Sequence, residues 1–363
     1  MKRCGYFFFS LFLSVNLLAQ SSPRSENLIV ITMDGLRWQE VFAGADSLLV
    51  FDTTASYNRN YIKKHFWAAS ASERRSRLMP FFWSVLARQG VLIGNRELGS
   101  QVYNANPYWF SYPGYNEIFT GYPDTAVNSN DKNPNRNVTV FEWLSQLPAF
   151  KGKAAVFGSW DVFSYIFNEK RSGLLVNDGF RDVSGKLNEK QKMLNELQHQ
   201  MPDIFHGGER IDAATFQMGF EYLKSNRPRL MFFGLGDTDE FAHAGLYDMY
   251  LDAAQNADEM IRLVWEWIQS TPGYKDKTTL LVTTDHGRGL AAEGNWRHHG
   301  QRIPESKEMW IAAIGPSIPA KGESSKPVTV YQGQIAASIA RLLGYEFKPD
   351  GQPVLDPLNW SLF

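Results

Sequence analysis

The 363-residue chain contains almost no cysteine. Its single cysteine, Cys4, lies before the apolar residues 6–18, whereas a bacterial lipoprotein cysteine follows such a segment, so lipidation is not expected. The rest of the chain therefore forms no disulfide and offers no thiolate to a metal ion. Any metal ligand would have to be a nitrogen or an oxygen atom.

An excess of charge of either sign is also missing. The chain has 37 Lys and Arg residues against 38 Asp and Glu residues, and its formal net charge is −1. Proteins that bind nucleic-acid polymers usually present a strongly basic surface. A nucleic-acid polymer is therefore not an expected partner.

Long apolar runs are limited to the amino terminus. Residues 6–18 are apolar and follow Lys2 and Arg3, a pattern typical of a secretory signal peptide. We assign residues 1–20 to this signal and expect an exported protein, either periplasmic or extracellular. The run is too short for a stable membrane span, and the competing interpretation is an uncleaved anchor.

Segments typical of strands and of helices alternate along most of the remaining chain. Largely uncharged runs of β-branched and apolar residues predict buried strands, and apolar residues at helical spacing predict helices between them. The predicted fold class is α/β, with a mostly parallel central sheet covered by helices on both faces. We assign residues 21–363 to a single domain with an insertion around residues 44–77. The main predicted strands are 27–33, 153–157, 229–235, 278–284 and 309–315.

The predicted strand 278–284 ends abruptly in Asp285-His286-Gly287. Open α/β sheets bind ligands at the carboxyl ends of their strands, so this carboxylate and this imidazole would lie at such an edge. Asp and neutral His are good ligands for zinc and similar ions. Taken alone, the motif is explained more simply as a strand-end turn with a hydrogen-bonded His.

Residues of the same chemical type recur elsewhere in the chain. Acidic residues follow two further predicted strands, and His residues lie close behind; these positions are Asp34-Gly35, 237–243 and His298-His299-Gly300. Together with His286, four of the seven His residues of the chain belong to motifs of this kind. Core packing alone does not account for this clustering, which favours a metal site.

Ser111 precedes a short predicted helix that stops at Gly121. The first backbone N–H groups of a helix are unpaired and the helix dipole is positive there, so an anion or an ionised hydroxyl is stabilised at this place. A turn or cap role is the simpler interpretation when this segment is considered alone.

The ordered set of motifs resembles the alkaline phosphatase superfamily, and most closely its nucleotide pyrophosphatase/phosphodiesterase branch. The resemblance covers most of the chain after the signal, but it is dense only at the motifs. Each motif is weak alone, whereas their order and spacing are specific. The motifs are Asp34-Gly35, Ser111-x-Pro113 with Thr120-Gly121, Asp239-x-x-x-His243, Asp285-His286-Gly287 and His299-Gly300.

The resemblance implies two divalent metal ions, with zinc as the expected element. The implied ligands are Asp239, His243 and His299 for one ion, and Asp34, Asp285, His286 and the Ser111 hydroxyl for the other. Asp237 competes with Asp239, and the spacing to His243 favours Asp239. His298 competes with His299, and the Gly that follows His299 favours the latter.

Metal ions beside Ser111 would lower the pKa of its hydroxyl and make it a nucleophile near neutral pH. The expected reaction is in-line attack on a phosphate ester, followed by hydrolysis of a phosphoseryl intermediate. The expected substrate is a small-molecule phosphate ester. Diesters or nucleotides are favoured because no dedicated arginine for a monoester dianion is evident, with Arg288 and Arg297 as possible exceptions.

The chain departs from the phosphodiesterase branch in two places. That branch usually has Thr as the nucleophile and Asn-His after the Pro, whereas this chain has Ser111 and Gly114-Tyr115. Asn130 is the candidate for the substrate-binding Asn of the family. Tyr115 stands where sulfatases carry an Arg, which argues against a sulfatase. The competing hypotheses are a phosphomonoesterase, a phosphomutase and a non-catalytic, metal-stabilised binding protein.

Overall fold

The computed structural model describes residue 1 and residues 24–363. The export signal predicted for residues 1–20 lies outside these residues, apart from Met1. None of the helices in the described part of the chain has the length and apolar character that a membrane crossing requires.

The described strands form two sheets. They are β1 (Asn27–Met33), β2 (Val91–Ile93), β3 (Gln101–Tyr103), β4 (Ala154–Gly158), β5 (Leu175–Asp178), β6 (Leu230–Leu235), β7 (Thr278–Thr283), β8 (Glu308–Met309), β9 (Ile311–Ile314), β10 (Gly322–Glu323) and β11 (Thr329–Tyr331). The central sheet has eight strands in the order β10-β2-β9-β7-β1-β6-β4-β5, and the small sheet has the order β11-β3-β8.

The central sheet is mostly parallel, as predicted. Every neighbouring pair from β7 to β5 is parallel, and β9 alone runs antiparallel to its neighbours β2 and β7. The predicted strand 309–315 is divided between β8 in the small sheet and β9 in the central sheet. A run of apolar residues predicts burial but contains no information about strand direction or partner, which explains this difference.

The helices of the described residues lie between these strands. They are α1 (Trp38–Ala43), α2 (Ser47–Phe51), α3 (Arg59–His65), α4 (Ala71–Leu78), α5 (Ala87–Gln89), α6 (Ser111–Thr120), α7 (Val140–Ser145), α8 (Phe163–Ile166), α9 (Glu169–Ser172), α10 (Glu189–Gln200), α11 (Asp212–Asn226), α12 (Asp237–His243), α13 (Tyr247–Ser270) and α14 (Gln334–Leu342). A π-helical turn, Phe82–Leu86, runs directly into α5.

The central sheet separates two hydrophobic cores. Along β1, Ile29 and Ile31 pack into the core that contains α11 and α13, whereas Leu28 and Val30 pack into the core that contains α6, α7 and α14. Successive side chains of a strand point to opposite faces, so a strand covered on both faces must be apolar throughout. The arrangement accounts for the apolar run of residues 28–31 in β1.

The segment 44–77 contains α2, α3 and most of α4, and it is tied to the start of α13. The Tyr247 N–H donates to the Ala55 carbonyl oxygen at 2.7 Å. The Asp248 carboxylate accepts the backbone N–H groups of Tyr57 and Asn58 at 3.2 and 2.7 Å. These contacts place residues 55–58 beside the corner between α12 and α13.

Candidate active site

Three adjacent central strands deliver acidic residues to one edge of the sheet. In the order β7-β1-β6, each strand is parallel to its neighbour. Asp34 follows β1, Asp285 follows β7, and Asp239 lies in the first turn of α12 after β6. Neighbouring strands are only about 4.8 Å apart. Carboxylates that are distant in sequence therefore meet at the carboxyl edge.

Asp34, Asp285 and His286 form one cluster of possible metal ligands, in which one ligand atom of each residue lies within 4.8 Å of the others. His286 Nε2 is 3.3 Å from Asp34 Oδ1 and 3.4 Å from Asp285 Oδ2. His286 Nδ1 faces the Gly287 carbonyl oxygen at 2.9 Å, and Asp285 Oδ1 accepts the Gly35 N–H at 3.1 Å. These contacts leave His286 Nε2 and Asp285 Oδ2 directed into the cluster.

Asp239, His243 and His299 form a second cluster with the same spacing of ligand atoms. His243 Nε2 lies 3.0 Å from Asp239 Oδ2 and 2.9 Å from His299 Nε2. The clusters touch each other, because Asp239 Oδ1 is 3.9 Å from His286 Nε2 and the rings of His286 and His299 stack with centroids 3.9 Å apart. All six Asp and His residues implied as ligands are thus brought together.

The two alternative ligands, Asp237 and His298, lie outside the clusters. His298 is exposed, and its ring centroid is 6.4 Å from that of His243. The Asp237 carboxylate turns away and accepts the backbone N–H of Asp212 at 3.0 Å. The clusters therefore contain the residues that motif spacing favoured.

Burial and neighbouring charges shift the pKa values of residues in both clusters. Burial and repulsion from Asp34 raise the pKa of Asp285 well above its usual value. Burial opposes the charged form of His286, but the nearby carboxylates of Asp285 and Asp34 outweigh it and raise the pKa to about 9. Burial and the charge of His286 lower the pKa of His299 well below its usual value. Carboxylates crowded in this way are stabilised by positive charge placed between them.

Arg288 is a buried partner of the second cluster. Its Nη1 is in close contact with Asp239 Oδ1, its Nε donates to the Trp296 carbonyl oxygen at 2.9 Å, and its Nη2 donates to the Arg297 carbonyl oxygen. Burial favours the neutral form of Asp239, but Arg288 outweighs it and holds the pKa well below its usual value. The guanidinium is thus engaged by protein atoms on three sides.

Both clusters fit divalent metal ions. Asp34 Oδ1 and Asp285 Oδ2 are buried, and neither accepts a hydrogen bond from any residue that the structure describes. Such oxygens are costly to bury unless a cation or a donor contacts them. Each cluster combines carboxylate oxygens with imidazole nitrogens, the donor set that zinc accepts when no thiolate is present.

Ser111 is the first residue of α6, and its Oγ lies 3.4 Å from His286 Nε2. The helix ends at Gly121 in the left-handed conformation, as the sequence indicates. A Cβ atom on Gly114 would overlap the Asp285 carbonyl oxygen. The absence of a side chain at Gly114 therefore lets α6 bring Ser111 against the first cluster.

The loop 124–137 lies against the amino terminus of α6. Asn130 is exposed, and its Oδ1 accepts the backbone N–H of Tyr112 at 3.0 Å. Its amide nitrogen donates to no residue within 24–363, which leaves it available to a bound molecule. Asn137 Nδ2 anchors the loop by donating to Asp124 Oδ2 at 3.0 Å. Asn130 therefore contacts the first turn of α6, which Ser111 begins, and its role in substrate binding stays a prediction.

The aromatic rim is defined here as three half-buried residues. Tyr108 and Trp109 precede the nucleophile in the chain, and Lys307 lies near the Trp109 ring. Trp109 has φ 54°, a left-handed conformation that is rare for a side chain of this size. The N–H groups of Tyr108 and Trp109 both donate to Asn106 Oδ1, at 3.0 and 3.1 Å. Lys307 Nζ lies 5.6 Å from the Trp109 ring centroid. Backbone strain of this kind is concentrated at functional sites.

Sequence reasoning did not anticipate two residues that hold the ligands. The Tyr115 hydroxyl donates to Asp34 Oδ2 at 3.0 Å, and Asn104 Nδ2 donates to the Asp285 carbonyl oxygen at 2.9 Å. Tyr115 had a detectable signal, because it is four residues from Ser111 and side chains at this spacing share a helix face. Asn104 follows β3 of the small sheet, and no local pattern links it to Asp285.

A cavity of about 500 Å³ lies farther along the same edge of the sheet, near the ends of β4 and β5. Its charged side chains are largely paired with one another. Lys132 contacts Asp161 at 2.6 Å, and Arg181 contacts both Glu169 and Asp178 at 3.0 Å. None of the residues that line this cavity belongs to the two ligand clusters.

The architecture is an alkaline-phosphatase-like fold, and the many solved structures that share it include three from bacteria. The lipoteichoic acid synthase LtaP from Listeria monocytogenes has a TM-score of 0.55 and 13% identity, over 93% of this chain and 76% of that chain. The phosphonate monoester hydrolase SpPMH from Silicibacter pomeroyi has a TM-score of 0.53 and 13% identity, over 93% and 76%. A superfamily protein from Vibrio parahaemolyticus has a TM-score of 0.50 and 11% identity, over 90% and 68%.

The family follows from the sequence itself. The model of type I phosphodiesterase / nucleotide pyrophosphatase matches residues 46–352, a range that includes all the cluster residues except Asp34. The chain belongs to the type I phosphodiesterase / nucleotide pyrophosphatase family and is a phosphate-ester hydrolase. The predicted resemblance is thereby confirmed. No curated protein matches this sequence.

Proposed function

We propose that this protein is an exported two-metal phosphodiesterase that acts on small-molecule esters through a phosphoseryl intermediate. The observation that carries the proposal is the position of Ser111 Oγ, 3.4 Å from His286 Nε2 at the contact of two ligand clusters. Export is supported by the signal pattern of residues 1–20. Zinc is supported by the Asp and His composition of the clusters.

The chain supplies a nucleophile, a positioning amide and two ligand clusters. Bound divalent ions would supply positive charge that lowers the pKa of the Ser111 hydroxyl and offsets the charge of the phosphoryl oxygens. Ser111 Oγ forms a bond to phosphorus while the bond from phosphorus to the leaving oxygen breaks. The dipole of α6 favours the resulting phosphoserine. Water then breaks the bond between phosphorus and Oγ and regenerates Ser111.

The environment of Arg288 favours diesters over monoesters. A monoester dianion carries one more negative charge than a diester, and a free arginine fork commonly binds it. Arg288 is engaged by Asp239 and by two backbone carbonyl groups. The Arg297 guanidinium packs beside Gly245 and lies 3.4 Å from the Thr54 carbonyl oxygen. Arg288 is therefore not free to neutralise a second phosphate charge, and the Arg297 guanidinium is turned toward Gly245 and Thr54.

The aromatic rim supports an aryl or nucleoside group as one substituent of the ester. Trp109 precedes Ser111 by two residues and is half-buried, with Lys307 Nζ 5.6 Å from its ring. A planar ring of a substrate stacks well on such a side chain. A nucleotide diester would thus place its base on the rim and its phosphorus near Ser111.

Substitution of the nucleophile tests the proposal. Ser111→Ala should lower kcat for bis-p-nitrophenyl phosphate by at least about 1,000-fold, because the proposed attacking oxygen is removed, while zinc content stays normal. Ser76→Ala is the control, since Ser76 is exposed in α4 and its Oγ donates to the Ser72 carbonyl oxygen. Activity should be measured by p-nitrophenol release and zinc by elemental analysis. Retained activity in Ser111→Ala would exclude the phosphoseryl route.

The substrate class is tested by comparing two substrates with and without chelator. Bis-p-nitrophenyl phosphate should be hydrolysed with a higher kcat/KM than p-nitrophenyl phosphate, and chelator should remove both activities. Faster hydrolysis of the monoester would overturn the diester preference. Absence of hydrolysis of both would favour a narrow substrate or a non-catalytic binding protein.

A further inference from the structure

Two side chains on one face of α6 reach the first ligand cluster. Ser111 and Tyr115 are four residues apart, and such positions lie above one another on a helix. Ser111 Oγ is 3.4 Å from His286 Nε2, and the Tyr115 hydroxyl is 3.0 Å from Asp34 Oδ2. The helix that carries the nucleophile is thus connected directly to a candidate metal ligand.

The Tyr115 hydroxyl has a fixed direction. The side chain is 1% exposed, and its ring packs edge-on against Phe163 and Phe232 with centroids 4.8 and 6.2 Å away. Thr32 Oγ1 lies 3.4 Å from the same hydroxyl. A ring held in this way cannot follow Asp34 if the carboxylate rotates, so the hydrogen bond selects one orientation of the carboxylate.

The two oxygens of Asp34 have different surroundings. Oδ2 accepts the Tyr115 hydroxyl, whereas Oδ1 is buried, accepts no hydrogen bond from the described residues and lies 3.3 Å from His286 Nε2. The Asp34 backbone is held as well, because Thr238 Oγ1 donates to its carbonyl oxygen at 2.5 Å. One oxygen is therefore occupied by a protein donor and the other is left for a ligand.

We propose that Tyr115 is a positioning residue that occupies Asp34 Oδ2 and so presents Oδ1 alone to a divalent metal ion. The inference rests on the metal site of the proposed function. It also gives a role to Tyr115 itself. Sulfatases carry an Arg at this position, and related phosphodiesterases have Asn-His where this chain has Gly114-Tyr115. Hydrogen bonds to metal ligands of this kind change metal affinity by about 10- to 100-fold.

Removal of the hydroxyl tests this role. Tyr115→Phe keeps the ring and its packing but leaves Asp34 free to rotate or to bind through both oxygens. Zn²⁺ titration of the chelator-treated full chain by calorimetry should show one of two sites weakened by about 10- to 100-fold. Co²⁺ absorption spectra should change at that same site, because the ligand geometry changes.

Tyr112→Phe is the matched control on the same helix. The Tyr112 side chain is also buried, and its hydroxyl donates to the Asn133 and Tyr165 carbonyl oxygens at 2.6 and 3.2 Å. This variant should lose stability but keep the Zn²⁺ affinities and the Co²⁺ spectrum of the wild type. Thermal unfolding of both variants checks that each is folded at the titration temperature.

The outcomes separate this inference from the proposed function. Two wild-type Zn²⁺ affinities in Tyr115→Phe would overturn the positioning role and leave the metal site intact. Equal weakening in both Tyr variants would assign the effect to helix packing and would also overturn it. A wild-type chain that binds neither Zn²⁺ nor Co²⁺ would reject the proposed metal site together with the inference.

Discussion

Gly35 follows the candidate ligand Asp34, and its backbone lies beside side chains of both ligand clusters. Its φ of 58° is a conformation that L side chains rarely adopt. A Cβ atom there would lie 2.5 Å from Asp239 Oδ1, 2.8 Å from Arg288 Nη1 and 3.3 Å from His286 Cε1. The Asp-Gly pair after β1 is therefore needed for two reasons: the Asp contributes a carboxylate, and the Gly leaves space for the other cluster.

Gly35→Ala should lower kcat/KM and Zn²⁺ affinity by at least about tenfold, because the methyl group forces the cluster residues apart. Gly152→Ala is the matched control, since Gly152 has φ 66° and nothing within 4 Å of its added Cβ atom. Both variants carry the backbone cost of about 1–2 kcal/mol in the free energy of unfolding. Urea unfolding, zinc titration and ester hydrolysis measure the three quantities. Normal activity in Gly35→Ala would show that the clusters tolerate the extra atom.

At the scale of the element, α6 shows how tertiary contacts override local preference. Gly114 lies inside this helix, where Ala is usually more stable than Gly by about 1 kcal/mol. The helix instead packs so closely on the Asp285 backbone that a Cβ atom would overlap the carbonyl oxygen. The position of Ser111 relative to His286 depends on this close approach.

Gly114→Ala should therefore destabilise the protein, although helix propensity alone predicts the opposite sign. We expect a loss of about 1–3 kcal/mol in the free energy of unfolding, typical of overpacking. We also expect a fall in kcat with little change in Zn²⁺ affinity, because α6 moves away while the ligand clusters stay. Denaturant unfolding and steady-state kinetics measure both effects. A more stable variant with normal kcat would contradict the packing argument.

The sheet elements were predictable to different degrees. β1 has the predicted bounds, and β6 and β7 each begin or end within one residue of prediction, because long apolar runs identify buried strands. β2 and β10 were not anticipated, since each has three residues or fewer and shows no periodic pattern. Strands this short are defined by their pairing partners, which local sequence does not reveal.

At the scale of the whole molecule, folding concentrates three carboxylates in one buried place. The unfolded chain disperses them, so ions that bind the clusters stabilise only the folded state. At a hundredfold excess over Kd, one bound ion adds about 2.7 kcal/mol to the free energy of unfolding. Metal binding and global stability are thus linked.

Addition of Zn²⁺ should raise the unfolding temperature, and chelator should reverse the rise. His243→Ala should lose part of this increment, because it removes a ligand from the second cluster. His199→Ala is the control. His199 is an exposed residue of α10 outside the clusters, and its Nε2 lies 2.8 Å from Asp182 Oδ1. Scanning calorimetry with and without Zn²⁺ measures the increment. The same increment in wild type and both variants would show that the ions bind elsewhere.

The kinds of ligand and their placement at strand ends were determined by the sequence alone. A buried strand needs a continuous apolar run, so the first polar residue after it marks the edge of the sheet, as at Asp34 and Asp285. Tertiary structure alone decided which oxygen of Asp34 is free, because the donor is Tyr115 on another element. It also decided that Arg288 faces Asp239 rather than a substrate. Such contacts depend on which elements become neighbours across the sheet, and local patterns contain no information about partners distant in the chain.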